Sequence, residues 1–193
     1  EEFVSIISHD LRSPLDMAKT ATKLADETNE AAYFEKVTAA HDRMEQMITE
    51  LVTLAQTGKS VTHRDCLSLS TLAEEAGRTV TTDMTLQIES EAAVEGEAGR
   101  MRRLFENIIA NADTHAGPDV TVTVGVLTDL DDREEQEEAE GFYIEDDGPG
   151  IPLDDYDRVF EPSVTTDDNG TGFGLAIVHR IADAHGWTVT VED

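Results

Sequence analysis

The sequence predicts an α+β protein of two domains, an antiparallel helical hairpin followed by an α/β sandwich. Three observations support this prediction. Within residues 1–57, apolar side chains recur at alternating steps of three and four, which is the spacing of a helix seam. From Leu67 onward, short runs with a period of two alternate with longer helical patterns, as in proteins that mix strands and helices. The hydrophobic content of 39% over 193 residues, together with 13 glycines, is sufficient for a buried core.

Residues 1–57 predict two helices, each with an apolar seam. The seam of the first helix consists of Val4, Ile7, Leu11, Pro14, Ala18, Ala21 and Ala25. The seam of the second consists of Tyr33, Val37, Ala40, Met44, Met47, Leu51 and Leu54. The polar residues Asp26–Glu30 connect the two helices in this interpretation, and Gly58 ends the second one as a C-cap. Because two helices alone cannot bury both sides of their seams, we expect a homodimer that forms a four-helix bundle.

The rest of the chain predicts a linker and then the mixed domain. Residues 58–66 are polar and are interpreted as the linker. The elements predicted after it are the strand Leu67–Leu69, a helix capped by Ser70 that runs to about Val80, the strand Met84–Glu89, the helix Gly99–His115, the strands Val120–Thr128 and Gly141–Asp146, the helix Gly172–His185 and the strand Trp187–Val191. Residues 129–140 carry eight acids and one Arg and predict a solvated loop. The remaining interpretations are Cys66 as a small buried hydrophobe and His41, His63, His179 and His185 as surface or helix-end residues.

The charge balance excludes several classes of partner. Against 14 Lys and Arg stand 42 Asp and Glu, and the net charge of −28 would repel a nucleic-acid backbone and an anionic membrane surface. A single Cys excludes a disulfide framework and a Cys-rich zinc site. No apolar run approaches the length of a membrane-spanning helix.

The acidity and the scarcity of Lys predict a halophilic origin, since salt screens self-repulsion; an acidic loop on an ordinary protein is the alternative.

The first motif that carries chemistry is the octapeptide Ser8–Leu15. On the seam register, His9 falls in a row of polar side chains, so the helix would present it to solvent. Its neighbour Asp10 can orient the imidazole through a hydrogen bond. Pro14 has no N–H, which frees the carbonyl of Asp10 within the helix. The alternative is an ordinary surface His beside an acid.

Three further motifs follow in the second domain. Asn107 and Asn111 lie four residues apart on one helix face, where amide oxygens suit Mg²⁺; the alternative is a structural hydrogen-bonded pair. The turn Asp146–Gly150 offers a carboxylate to an exocyclic amine such as that of adenine, and glycines that allow close approach; the alternative is a plain turn. The stretch Gly170–Leu175 opens a helix and can bind an anion, or is only a flexible loop. The polar residues 163–169 before it predict a lid.

The order and spacing of these motifs resemble the sensor histidine kinases of two-component signalling. The resemblance implies a dimerisation and phosphoacceptor domain at 1–57, the linker at 58–66, and a Bergerat-type ATP-binding domain at 67–193 that lacks its last strand. It implies ATP and Mg²⁺ as cofactors, autophosphorylation of His9, and phosphoryl transfer to an aspartate of a response regulator receiver domain, whose dephosphorylation is a further expected activity. It also implies a cytoplasmic location, with membrane attachment expected only of the full-length chain. The start at Glu1, without an initiator Met, predicts that this chain is a piece of a longer one. The charge predicts no contact of this piece with membrane or nucleic acid.

The resemblance further implies a role for each matching residue. His9 is the expected phosphoacceptor, Asp10 the assisting acid, and Ser13 the residue that positions water for dephosphorylation. Asn111 matches the Mg²⁺ ligand, and Asn107 matches the first asparagine of the same helix, with a catalytic and nucleotide-binding role. The other expected nucleotide-binding residues are His115, Asp146, Gly148, Gly150, the F-box aromatic Phe160, Gly170, Thr171, Gly172, Gly174 and Leu175.

The sequence departs from the family pattern at two places, and two other functions stay open. Thr114 stands where many members have Lys, and the chain stops at Asp193, where the family commonly continues into another strand. A hydrolytic ATPase of the wider superfamily is one alternative, but its general base would be a Glu where this chain has Asn107. A dimeric signalling scaffold without ATP turnover is the other alternative, and Thr114 is its only support.

Overall fold

A computed structural model describes residues 2–57, 60–79, 84–117, 119–128, 139–165 and 170–192. The elements of these residues are α1 (Glu2–Thr28), α2 (Ala31–Thr57), β1 (Asp65–Ser68), α3 (Leu69–Gly77), β2 (Thr85–Ile88), β3 (Ala93–Gly96), α4 (Ala98–His115), β4 (Thr121–Thr128), β5 (Ala139–Asp146), a 3₁₀ turn (Leu153–Asp155) and α5 (Gly174–His185). The chain divides into two compact units, Glu1–Gln56 with Asp157–Ile177, and Thr57–Tyr156 with Val178–Asp193. Of the helices described, none is both long enough and apolar enough to cross a bilayer.

The predicted helical hairpin is confirmed, and its seams are where the sequence pattern puts them. The seam residues buried in α1 and α2 are Pro14, Ala18, Ala21, Ala25, Ala40, Met47 and Leu54, while the side chains of Val4 and Ile7 lie outside the described residues. The connection is shorter than predicted, because α1 continues to Thr28 and α2 begins at Ala31. Asn29 ends α1 in the left-handed region, with φ 56°, and its N–H donates to the carbonyl of Ala25 at 2.8 Å.

The second unit combines two small sheets with helices. In the described residues, β1 pairs antiparallel with β3, and a separate sheet has the order β2-β4-β5, with β2 parallel and β5 antiparallel to β4. The amphipathic α4 buries its apolar face, as its period of 3.6 predicts. The core includes Met101, Leu104, Phe105 and Ile109 of α4 together with Val122 and Val124 of β4.

The start of the mixed domain differs from the prediction. The strand is β1, which begins at Asp65 inside the stretch interpreted as linker and ends at Ser68, so the predicted strand Leu67–Leu69 begins two residues late and ends one residue late. The helix cap is Ser68 and not Ser70, because the hydroxyl of Ser68 accepts the N–H of Thr71 at 3.2 Å. Ser70 already lies in the first turn of α3, where its hydroxyl contacts that of Ser68 at 2.8 Å.

One strand was missed, and one predicted strand was wrong. The strand β3 was not predicted, because the alternation of its four residues is too short to stand out. The predicted strand Trp187–Val191 does not form, since none of these described residues belongs to a strand. The side chains of Trp187–Val191 do alternate between half-buried and exposed. The N–H of Trp187, however, donates to the carbonyl of Ala182 in α5, at 2.9 Å. An alternation with a period of two predicts which side chains are covered, but a strand also needs a neighbouring strand with which to pair.

Several single-residue interpretations also change. Cys66 is exposed and not a buried hydrophobe, since the first two residues of β1, Asp65 and Cys66, are both exposed. His185 ends α5, as predicted, but it is buried and not a surface residue. The predicted helix cap Gly58 and the acidic residues 129–138 lie outside the described residues. The predicted domain division at 1–57, 58–66 and 67–193 stays a prediction.

Candidate functional site

His9 is presented by α1 on an open face of the hairpin unit. Its side chain is 84% exposed, and its Nδ1 lies 3.2 Å from a carboxylate oxygen of Asp10, which is 28% exposed. Because a carboxylate only accepts, this contact assigns the proton of the neutral imidazole to Nδ1 and leaves the lone pair on Nε2. Ser13 is exposed one turn later, on the same side of the helix as His9. An exposed ring with an unprotonated Nε2 is the form of His that acts as a nucleophile.

The asparagines lie on α4, whose start is fixed by Glu97. The Glu97 carboxylate accepts the N–H groups of Gly99 and Arg100 at 3.2 Å each and so caps the helix. Asn107 and Asn111 are both half-buried, at the edge of the apolar face that packs into the core. The amide nitrogen of Asn107 donates to the carbonyl one turn before it, at 2.7 Å, which orients its amide oxygen away from that carbonyl.

The turn after β5 packs onto the far end of α4. A carboxylate oxygen of Asp146 accepts the N–H of Gly148 at 3.0 Å, which closes the turn. A Cβ added at Gly148 would lie 2.5 Å from the Cβ of Ala116, the residue that follows the exposed His115 at the end of α4. Only glycine therefore allows this approach. The structure thus brings the predicted adenine-reading turn to the helix that carries the asparagines.

Asp147 anchors the same turn to the start of β4. Its carboxylate accepts the N–H of Thr121 at 2.8 Å, and its own N–H donates to the carbonyl of Thr121 at 3.2 Å. The hydrogen bond from the Thr121 backbone lowers the pKa of the Asp147 carboxyl below its ordinary value. The turn is therefore held from two sides, with the exposed Asp146 at its entry and the exposed Gly150, whose φ is +71°, at its exit.

The glycine-rich segment belongs to the hairpin unit. Gly172 has φ +73° and lies against Ser163, whose φ is +69° and whose N–H donates to the carbonyl of Gly172 at 2.9 Å. A Cβ at Gly172 would lie 2.6 Å from the carbonyl carbon of Ser163, so the contact requires glycine. The helix α5 begins at Gly174, two residues later than predicted. The carbonyl of Gly170 accepts Nη2 of Arg43 at 3.1 Å.

The remaining predicted nucleotide-binding residues are close in sequence to Ser163 and Gly172. Thr171 and Phe173 are buried, whereas Phe160, Gly174 and Leu175 are half-buried. Residues 166–169 of the predicted lid lie outside the described residues. Arg43 was not predicted, and Ser163 was predicted only as the first residue of the lid, because neither a hydrogen bond to a distant carbonyl nor a left-handed Ser has a sequence signal. The roles of all these residues remain predictions.

Comparison with known proteins bears on both halves of the chain. The sequence matches the family described as histidine kinase-, DNA gyrase B- and HSP90-like ATPases over residues 96–193, and the His Kinase A (phospho-acceptor) domain over residues 1–59. It is 30% identical over 209 residues to the probable sensor histidine kinase TcrY of Mycobacterium tuberculosis, covering 98% of this chain and 42% of that protein. It is 28% identical over 196 residues to sporulation kinase A of Bacillus subtilis, covering 96% and 31%. The chain thus spans less than half the length of these relatives.

Solved structures resemble the fold. The histidine kinase AdeS of Acinetobacter baumannii aligns over 91% of this chain and 86% of its own, with a TM-score of 0.68 and 18% identity. The histidine kinase ThkA, in complex with the response regulator TrrA, aligns over 86% of this chain and 51% of its own, with a TM-score of 0.64 and 16% identity. At these identities the likeness concerns the fold alone, and it confirms the predicted fold class. Since the match over residues 96–193 covers half of the chain, the protein belongs to the family of histidine kinase-, DNA gyrase B- and HSP90-like ATPases.

Proposed function

We propose that this chain is the catalytic core of a sensor histidine kinase. In this proposal, Nε2 of His9 attacks the γ-phosphorus of ATP, the bond from that phosphorus to the bridging oxygen breaks, and ADP leaves. The phosphoryl group then passes from His9 to an aspartate of a response regulator receiver domain, which restores the free imidazole. The observation that carries the proposal is the exposed His9, whose Nδ1 is engaged by Asp10 within the segment that matches the phosphoacceptor family. Ser13, exposed one turn away, would orient a water during dephosphorylation of the regulator.

The residues of α4 and of the turn after β5 fit Mg²⁺ and ATP. In the described residues, no group of three or more His, Cys, Asp or Glu side chains forms a metal cluster. The amide oxygen of Asn111 is a hard ligand for Mg²⁺, which takes few protein ligands and completes its shell with phosphates and water. Mg²⁺ would neutralise charge on the transferring phosphoryl group. Asp146 would read the adenine amine, while Asn107 and His115, which are also on α4, would bind near the phosphates.

Two kinds of protein partner follow from the proposal. The exposed apolar residues Phe34, Ile48 and Val52 of α2 support a homodimer, since a second hairpin would cover them. A response regulator is the expected acceptor, and the structural relative ThkA was solved with one.

We also propose the domain boundaries 1–57, 58–66 and 67–193, supported by the end of the phosphoacceptor match at residue 59. A halophilic origin, from the net charge, and a cytoplasmic location are proposals of the same kind.

A hydrolytic ATPase is the second candidate, because the family includes gyrase-like and HSP90-like members. Such an enzyme needs a general base beside the attacking water. Asn107 occupies the position where the base is expected, and an amide cannot take a proton. The phosphoacceptor match over residues 1–59 also favours the kinase. A scaffold that does not turn over ATP has only Thr114 in its favour.

The test is phosphorylation by γ-labelled ATP with Mg²⁺ in high salt. The parent chain should take up a label that is labile in acid and stable in alkali, as expected of a phosphoramidate. His9→Gln should lose the label. His41→Gln, which changes an exposed His on α2, should keep it. Equal release of free phosphate by the parent and by His9→Gln would support the hydrolase instead, and nucleotide binding without label in either would support the scaffold.

A further inference from the structure

His185 is a buried polar residue that the proposed reaction does not use. It ends α5 with a relative exposure of only 2%, and its ring stacks on that of Trp187, with the centroids 4.5 Å apart. A buried imidazole must have hydrogen-bond partners, because leaving either nitrogen unpaired is unfavourable. The partners of His185 therefore indicate what the residue does.

The two ring nitrogens of His185 have backbone partners in two different places, one within α5 and one at the start of α4. Nδ1 lies 2.7 Å from the carbonyl of Ile181, one turn earlier in α5, and Nε2 lies 3.0 Å from the backbone nitrogen of Glu97. A carbonyl only accepts and an N–H only donates, so the proton is on Nδ1 and the lone pair is on Nε2. The structure thus holds His185 as one neutral tautomer.

Glu97 is the residue that caps α4. Its N–H is held by His185 while its carboxylate receives the N–H groups of Gly99 and Arg100. Since α4 carries Asn107 and Asn111, the start of the proposed nucleotide helix is tied through this imidazole to the end of α5. We propose that His185 is a positioning residue for nucleotide binding, which holds α4 in place only while its ring is neutral.

The charged groups that face His185 make the neutral ring the stable form. Arg64, in the segment before β1, donates from Nη2 to the carbonyl of His185 at 2.6 Å, and Arg100 faces the ring from α4. Burial lowers the pKa of His185 below its ordinary 6.5, and both arginines lower it further, against the opposing effects of the Ile181 carbonyl and of Glu97. A proton on Nε2 would point at the N–H of Glu97, so the contact would break.

The sign of the pH dependence follows from this arrangement. Because the folded protein lowers the pKa of His185, the contact is complete above pH 6.5 and is lost as the pH falls through the lower, folded pKa. Nucleotide affinity should then fall in acid. This inference rests on the proposed function, so the experiment also includes readouts that need no nucleotide.

The experiment measures the affinity of Mg²⁺–ADP between about pH 5 and pH 8 on the intact chain. We expect the affinity of the parent to fall about tenfold toward the acid end, because protonation of the ring breaks the contact that holds the start of α4. His185→Gln keeps a donor and an acceptor that do not titrate, and it should remove this pH dependence. His63→Gln, which changes an exposed His of the same unit, should leave it unchanged.

The second readout is NMR of the imidazole and of the Glu97 amide without nucleotide. Both signals should titrate together in the parent, and the ring should be the Nδ1–H tautomer at neutral pH. The same acid loss of affinity in His185→Gln, or an Nε2–H tautomer, would overturn the inference. If no nucleotide binds at any pH while ring and amide still titrate together, the proposed function fails, and with it the role of His185 in binding. Joint titration with pH-independent affinity would overturn only the role of His185.

Discussion

Ser163 and Gly172 are two residues with left-handed backbone that lie face to face beside the glycine-rich segment. Left-handed backbone costs an L-residue about 1–2 kcal/mol, so Ser163 is held there against its preference by its hydrogen bond to Gly172 and by the surrounding packing. Gly172 has no such penalty, and the absence of a side chain lets the two backbones meet. The shape of this segment therefore depends on one glycine.

Gly172→Ala should destabilise the protein by more than its backbone angle alone accounts for. The positive φ costs about 1–2 kcal/mol, and a Cβ 2.6 Å from the Ser163 backbone forces the segment to move at further cost. The matched control is Gly186→Ala, because Gly186 has φ +77° and, among the described residues, nothing within 4 Å of an added Cβ. Denaturant unfolding of both variants gives the comparison. Equal losses of stability would contradict the proposed contact.

His9 and His185 show what can be predicted for single residues. The exposure of His9 follows from its place in a polar row of one helix, which is local information. The burial of His185 depends on Glu97, which lies 88 positions away, and on the ring of Trp187. The contact of Gly148 with Ala116 is also beyond local pattern, although the glycine itself was singled out from the sequence. Burial created by distant partners cannot be predicted from a single element.

At the scale of elements, helices were predicted better than strands. The apolar seams of α1 and α2 repeat over many turns, so the helices and their buried faces follow from the sequence. A strand needs a partner in register, and that partner is set by the fold. The short β3 was missed, and the residues Trp187–Val191 have strand alternation without joining a sheet. The cap of α3 is Ser68 and not the predicted Ser70, which is a shift of two residues within one helical turn.

The exposed stripe on α2 makes a prediction about assembly. Ile48 and Val52 lie one turn apart, and Phe34 lies about four turns earlier on the same face; their exposed fractions are 54%, 49% and 55%. Ile48→Asp should weaken dimerisation by about a hundredfold, because a buried charge would lack a partner. Sedimentation at several concentrations measures this, and Thr49→Asp, on the next residue, is the control. A dimer unaffected by Ile48→Asp would contradict this interface.

At the scale of the whole molecule, electrostatic repulsion distinguishes this chain from a protein of balanced charge. The net charge of −28 on 193 residues opposes the compact state at low ionic strength. The ion pairs of the described residues are mostly exposed, such as Lys23–Glu27 and Arg158–Glu161, and exposed pairs contribute little. Stability should therefore depend on screening by salt more than on individual pairs.

Raising KCl from about 0.1 M to about 2 M should raise the unfolding midpoint by about 5 °C or more. Salt shortens the range of the repulsion to about 3 Å near 1 M, which removes most of the opposing energy. Calorimetry measures the midpoint, and sucrose of similar water activity is the control because sucrose is excluded from the protein surface but does not screen charge. An equal rise in sucrose would attribute the effect to preferential exclusion and contradict the electrostatic account.

The connection between α1 and α2 has a mechanical consequence. Only Asn29 and Glu30 separate the two helices, and the amides of Asn29 and Tyr33 are held by the carbonyls of Ala25 and Glu30 at 2.8 and 3.2 Å. A link of this length has no slack, so α1 cannot slide along α2 like a piston by a full turn unless one helix unwinds. A push or twist applied to α1 must then move α2 as well, so the hairpin transmits torque as a single unit.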